Sequence, residues 1–343
     1  MDGPTLVIAE KPSTARSIAK ALASISGDRP IQRKRGNITY HEVYVRGQLH
    51  IISPAAGHLY GLAQKSTGWT YPVFDIEWKP AWQIGKSSGY TKAYLDNFLE
   101  LASQCNSFIS ATDYDREGSV IAANILLYAC GTDDARRMKF STLTTVDLVR
   151  SYESAASELD FGQINAGRTR HVLDWYWGVN ITRALTLAMK PHIQGFGVIS
   201  SGRVQGPTLK ILADRERSIE RFVPEKYWTL ELICLHEGVE FSAISDPERI
   251  IYEQKANRIL EECMGKPANV AESKRKVSEV PPGPPFDLTT LQTEAYRHFG
   301  FSPSRTMSIA QFLYERALIS YPRTSSQQLP PSIGYEMILQ DLA

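Results

Sequence analysis

The sequence predicts a multidomain α/β + α chain. An N-terminal α/β part leads into a largely helical region that is interrupted by a small β-containing segment. Three observations predict this. Apolar runs of strand length, Thr5–Ala9 and Ser107–Ala111, are each followed by helical patterning. Helical spacing then dominates from about residue 144 to 217. Residues 226–245 instead alternate like antiparallel strands around a turn at His236-Glu237-Gly238.

In order, the strand at Thr5–Ala9 ends at Glu10, Lys11 and Pro12, and Ser13 opens a helical pattern through Ile18, Ala21, Leu22 and Ile25. Ser as a cap and Pro in the first turn suit a helix start. Residues 42–53 are strand material and 91–101 a helix. The apolar run 120–129 has helical length and composition. Further helices are expected at 146–159, 166–187 and 207–219, then at 252–264, 289–299 and 304–318. Lys274-Arg275-Lys276 and the proline-rich stretch 281–285 read as a connector.

With 343 residues, 43% hydrophobic and 22% charged, the composition is that of a globular chain of two or more domains. No apolar run reaches membrane-spanning length, and the N-terminus carries no signal-peptide pattern, so a cytoplasmic location is expected. The four cysteines are scattered without a C-x-x-C pair, which argues for reduced thiols and against a zinc site. Net charge is +1, so any nucleic-acid contact must come from local patches of Lys and Arg.

The chemistry concentrates where strands end. Asp113, Asp115 and Glu117 crowd the turn from the 107–111 strand into the next helix, with Glu117 expected to cap that helix. Asp113 and Asp115, two apart, project to one side of an extended chain. Clustered carboxylates are costly without a neutralising cation, and oxygen-only donors suit magnesium; the alternative is a solvated acidic turn. Glu10 sits at the end of another apolar strand, and the carboxyl ends of strands form the ligand-binding rim of a parallel α/β sheet. Lys11 adds a cation beside a helix N-terminus, which attracts phosphate. Together these point to metal-assisted handling of phosphate.

Two further elements are weaker alone. Tyr321 is wedged between an apolar helical segment and Pro322, with Arg323 two residues on; a tyrosine can act as a covalent nucleophile. Gly167-Arg168-Thr169-Arg170 and Ser201-Gly202-Arg203-Val204-Gln205 pair glycines, which let backbone approach a ligand, with arginines, which hold phosphate with a rigid fork.

The ordered set of motifs resembles the N-terminal part of a type IA DNA topoisomerase, closest to the topoisomerase III branch and archaeal in wording. LVIAEKPSTARSIA and ATDYDREG are similar to the two halves of a Toprim domain. STLT, AGRTRHVLDWYWGVNITRAL, SSGRVQGPTL, PPFDLTTLQTEAY and LISYPRTSS follow in the family's order. The resemblance implies four segments: a Rossmann-like Toprim domain at 1–150, the first part of a helical DNA-groove domain at 151–220, the first part of a β-containing arch at 221–280, and an incomplete nucleophile-bearing helical domain at 281–343.

It also implies roles. Tyr321 matches the nucleophile that forms a 5′-phosphotyrosine link with single-stranded DNA, without ATP. Arg323 and Lys11 match residues at the scissile phosphate, and Glu10 an acid beside the leaving 3′-oxygen. Glu10, Asp113, Asp115 and Glu117 match the Mg2+ site. Arg168, Arg170, Asp174, Arg203 and Gln205 fall in segments that line the single-strand groove. The implied partner is single-stranded or negatively supercoiled DNA at the nucleoid. Ser119 and Ser325 stand where relatives often carry an acid. Family chains continue well past the tyrosine, so the sequence is expected to be a fragment, or one half of a split enzyme completed by a second polypeptide, and unable to relax DNA alone. A Toprim primase or nuclease, or a non-catalytic single-strand-binding remnant, are the alternatives.

Overall fold

The computed structural model describes residues 3–192, 197–329 and 333–342. The chain forms two units, one of Met1–Arg203 with Pro284–Ala343 and the other of Val204–Gly283.

The first unit is built on a six-stranded sheet. Its strands are β1 (Thr5–Ala9), β2 (Ile31–Arg35), β3 (Ile38–Val45), β4 (Gln48–Pro54), β7 (Ser107–Ala111) and β8 (Arg136–Arg137), in the order β2-β3-β4-β1-β7-β8. From β4 through β8 the pairing is parallel, and β2 and β3 add an antiparallel edge. A separate hairpin pairs β5 (Tyr60–Gln64) with β6 (Ile76–Pro80).

Side-chain alternation in β1 explains why the sheet is covered on both faces. Val7 joins one core with Ile18 and Leu22 of α1 (Pro12–Ser26) and Leu148 of α5 (Thr145–Glu153). Leu6 and Ile8 join the opposite core with Phe98 of α3 (Thr91–Ala102), which follows the short α2 (Ala81–Ile84), and with Ile121 of α4 (Arg116–Ile125). A strand buried on both faces reads as a continuous apolar run, as TLVIA does. Ile18 and Leu22 are fully buried, and truncating either to alanine would cost about 2–5 kcal/mol.

The long helix α6 (Phe161–Met189) packs its first half on α4. Gly167 allows this close approach, because a Cβ there would collide with Val120 Cγ2 and with the Arg116 carbonyl. After the second unit, α9 (Leu288–Phe299), α10 (Pro303–Glu315) and α11 (Tyr335–Leu342) complete the first. Asp287 caps α9 in a reciprocal capping box with Thr290. The second unit holds α7 (Gln205–Glu220), the hairpin β9 (Glu231–His236) and β10 (Val239–Ile244), and α8 (Glu253–Cys263). No helix is long and apolar enough to cross a membrane among the described residues.

Several elements differ from the sequence reading. Residues 42–53 are not one strand, since Arg46 (φ 50) and Gly47 (φ 85) are both left-handed and turn β3 into β4. A non-glycine residue at positive φ gives no sequence signal. The helix expected at 146–159 stops at Glu153 because Ala156 bridges to Arg137 and Asp160 then caps α6. That capping starts α6 at Phe161, five residues before the expected position. The 120–129 run ends in a wide π turn, Leu126–Cys130. Ser13 does not cap α1; its hydroxyl donates to Glu315 Oε2 at 3.2 Å.

Candidate active site

Strand register assembles the site. Ala9 of β1 pairs with Ala111 of β7, so the residues after each strand, Glu10 and Asp113, emerge side by side on the carboxyl rim. Asp113 is buried and accepts from Lys11 Nζ at 3.3 Å and from the Tyr314 hydroxyl at 3.2 Å. Lys11 Nζ lies 3.7 Å from Glu10 Oε1. Asp115, rather than Glu117, caps α4, accepting from the Gly118 amide at 2.7 Å. A side chain at Gly118 would collide with the Asp113 carbonyl and reach within 3.1 Å of Glu10 Oε2. Glycine there is therefore what lets α4 begin directly on the acids.

Beneath the rim lies Arg137, fully buried. Its guanidinium donates to the carbonyls of Ser110, Thr112 and Asp113. It thus holds the end of β7 in the bent path that presents Asp113. Burial lowers its pKa, yet at about 10 it stays charged at neutral pH.

Tyr321 arrives from the far end of the chain. Its backbone amide donates to the Ser141 carbonyl at 2.8 Å, and its ring meets the Tyr314 ring edge-on at 5.2 Å. Its hydroxyl donates to Asp115 Oδ2. Burial and the bond to Asp115 push the phenol far above its ordinary pKa, so it is protonated in this state. Arg323 is exposed two residues on.

Glu117 turns to other partners. Its Oε2 accepts from His58 Nε2 at 3.0 Å and His171 Nε2 at 2.9 Å, and these bonds hold its pKa far below the usual carboxylate range. Arg170 lies 3.9 Å from the other Glu117 oxygen and 3.6 Å from Asp174, which in turn accepts from Arg203. Arg168 donates to Asn124 Oδ1 at 3.0 Å. Gln205 opens α7 in the second unit and is exposed.

The structure therefore gathers Glu10, Lys11, Asp113, Asp115 and Tyr321 at one rim, and Arg170, Asp174 and Arg203 in one ion-paired group. Sequence reading passed over Arg137, Tyr314, His58 and His171. Tyr314 had little signal, because α10 ends at Glu315 and the chain beyond it must turn back to bring Tyr321 against the Tyr314 ring. Arg137 had none, because Arg136-Arg137 in a polar stretch reads as surface.

The acids fit a divalent cation. Glu10 Oε2 is buried and has no hydrogen-bond partner among the described residues. Burial, and then the neighbouring Asp113, raise the Glu10 pKa to about 7, against a smaller opposing pull from Lys11. Burial likewise raises Asp113. Lys11 and the buried Arg137 bring two positive charges against three carboxylates, and the unmatched donors are all oxygen.

Both parts of the chain match known protein families. Residues 5–143 match the Toprim domain, and Toprim domains generally bind a divalent metal. Residues 158–343 match the DNA topoisomerase family. DNA topoisomerase 1 of Pyrococcus horikoshii is 47% identical over 340 residues, covering 98% of this chain and 49% of that protein. DNA topoisomerase 1 of Pyrococcus furiosus is 46% identical over 321 residues, covering 93% of this chain and 30% of that protein. The crystal structure of full-length topoisomerase I from Thermotoga maritima superposes with a TM-score of 0.65 at 26% identity, covering 98% of this chain and 52% of that one. The chain thus spans about half, or less, of the length of these relatives.

Proposed function

The chain belongs to the type IA DNA topoisomerase family, and on that premise we propose that it carries the cleavage centre of a topoisomerase that cuts and rejoins single-stranded DNA through Tyr321. The observation that carries this reading is the Tyr321 hydroxyl bonded to Asp115 on the same rim as Glu10, Lys11 and Asp113.

The residues divide the work by their environments. The Tyr321 oxygen attacks the scissile phosphorus, giving a 5′-phosphotyrosine bond as the bond to the 3′-oxygen breaks. The phenol's proton passes to Asp115, the carboxylate that already accepts its hydrogen bond. The departing 3′-oxygen takes a proton from Glu10, whose pKa of about 7 leaves it protonated in a large fraction of molecules at neutral pH. Lys11 sets a positive charge beside this pair, and exposed Arg323 is free to meet the phosphate's developing charge. The phosphodiester's energy is kept in the tyrosine link, so religation by the reverse path needs no ATP.

Asp113 and Asp115 are the residues that would hold Mg2+, with Glu10 able to join them only in its ionised form, outside the step in which it gives up its proton; their donors are all oxygen, and the ion would supply charge neutralisation for the approaching phosphate. Glu117 supports the site by orienting His171 and Arg170 on α6. Arg168, Arg170 and Arg203 are assigned to the single-strand groove, with Asp174 aligning Arg170 and Arg203, and Gln205 of the second unit is carried as a separate DNA-contacting candidate. Strand passage, with relaxation of negative supercoils or decatenation, belongs to the whole protein at the nucleoid. The matched relatives carry their remaining length in the same polypeptide, so a second polypeptide is not part of this proposal.

Incubating the chain with end-labelled single-stranded oligonucleotide and Mg2+, then running a denaturing gel, tests the reading. A covalent adduct that is lost in Tyr321→Phe supports it. Cleavage without adduct would instead indicate a Toprim nuclease.

A further inference from the structure

We infer that His58, Glu117 and His171 form a binding site for a divalent first-row transition ion, distinct from the oxygen-only site formed by Glu10 and Asp113. The three side chains come from separate elements: the loop between β4 and β5, the first turn of α4, and the middle of α6. Both imidazoles aim Nε2 at one carboxylate oxygen, at 3.0 and 2.9 Å. One ligating atom from each residue lies within 4.8 Å of the others. Donors bound to a tetrahedral ion at about 2.0–2.1 Å lie roughly 3.3–3.4 Å apart, so an ion could enter with small side-chain shifts.

Two nitrogens and a carboxylate oxygen are a borderline donor set that suits Zn2+, Co2+ or Ni2+ better than Mg2+. The trio is neither sealed nor fully open: side-chain exposures are 31% for His58, 34% for Glu117 and 28% for His171. An ion there would keep one or more positions for water or an anionic ligand. The rings are braced, with the imidazoles 4.9 Å apart and the Trp78 ring 5.6 Å from His171. Two features limit affinity. His58 Nδ1 is buried and has no partner among the described residues, so that ring lacks the usual orienting acceptor there. Arg170 lies 3.9 Å from the second Glu117 oxygen and competes for its charge. The scattered cysteines make a thiolate zinc site unattractive, but this site uses none of them. The inference does not rest on the topoisomerase reading, because it needs only this trio.

The test titrates the metal-free chain with Co2+, read by its visible ligand-field bands, and with Zn2+ by equilibrium dialysis. With Mg2+ in excess to occupy the oxygen-only site, one equivalent of Co2+ per chain is expected, with nitrogen–oxygen ligand-field bands and no thiolate charge-transfer band. His58→Gln and His171→Gln should each weaken binding about 100-fold or more, since loss of an outer-shell partner alone costs up to that much. Glu10→Gln and Asp113→Asn should leave Co2+ binding within a few-fold of wild type. On the wild-type chain, Zn2+ should shield His58 and His171 from diethyl pyrocarbonate, read by peptide mass, so the test holds even where a variant fails to fold. Absence of binding would overturn the inference. So would a thiolate band, equal histidine modification with and without Zn2+, unchanged binding in both histidine variants, or loss of binding in the Glu10 or Asp113 variants.

Discussion

Tyr321 donates its hydroxyl hydrogen bond to Asp115, a residue 206 positions earlier in the chain. The contact holds the phenol protonated and joins the tyrosine-bearing segment to the acidic rim. Phenylalanine at 321 would remove the oxygen and little else, because the ring's edge contact with Tyr314 and the backbone bond to Ser141 remain. The expected outcome of Tyr321→Phe is complete loss of covalent adduct, with single-strand affinity changed less than about threefold. Gel analysis of the adduct and fluorescence anisotropy measure the two. An adduct that persisted in the variant would remove Tyr321 from its role.

Glu10 predicts a pH dependence of stability in the metal-free chain. Its folded pKa, about 7, lies above the ordinary 4.5, so folding favours the protonated form. Stability from this group is full below pH 4.5 and is lost as pH rises through about 7. The shift corresponds to about 3 kcal/mol at most. Thermal melts without metal should show Tm falling across this window, Glu10→Gln should flatten the fall, and Mg2+ should oppose it by favouring the ionised form. A wild-type profile that matched Glu10→Gln at every pH would refute the coupling.

The rim was legible in the sequence because each of its parts obeys a local rule. TLVIA and SFISA are apolar runs of strand length, and the chain direction alone puts Glu10 and Asp113 at their carboxyl ends. What was not legible came from contacts between distant segments. Glu117 reads as a third acid of the cluster, yet His58 lies 59 residues away and His171 lies 54 away, and they claim it through the packing of α6 on α4. Arg137 is recognisable as a brace only once β7 ends beside it. The early stop of α5 likewise depends on the Arg137–Ala156 bridge, a tertiary contact that overrides helical propensity.

Gly118 offers a test of how tightly α4 must sit on the acids. Alanine there meets backbone at the Asp113 carbonyl, which cannot swing aside as a side chain would. Gly118→Ala should displace the first turn of α4, weaken the Asp115 cap and cost about 1–3 kcal/mol. Mg2+ affinity should fall with it, while Co2+ binding, through side chains that adjust more freely, should fall less. Chemical denaturation and calorimetric titration report both. Wild-type stability together with wild-type Mg2+ affinity would show that this close approach has no bearing on the site.

Arg203 tests the groove. Its guanidinium is exposed and, among the described residues, pairs with Asp174, a solvent-screened contact of the weak kind. A strand phosphate entering beside it would therefore compete with one weak carboxylate contact. Arg203→Ala should weaken single-strand binding and reduce the slope of log affinity against log salt by about 0.7, the share of one phosphate. Base preference should stay unchanged, because a phosphate contact carries no sequence information. Asp174→Asn should do the opposite at low salt: it frees the arginine from its carboxylate and leaves more charge for the strand. The pair of variants separates a phosphate contact from a structural ion pair. If Arg203 served only to tie α6 to the segment before α7, both substitutions would lower stability and neither would move the salt slope.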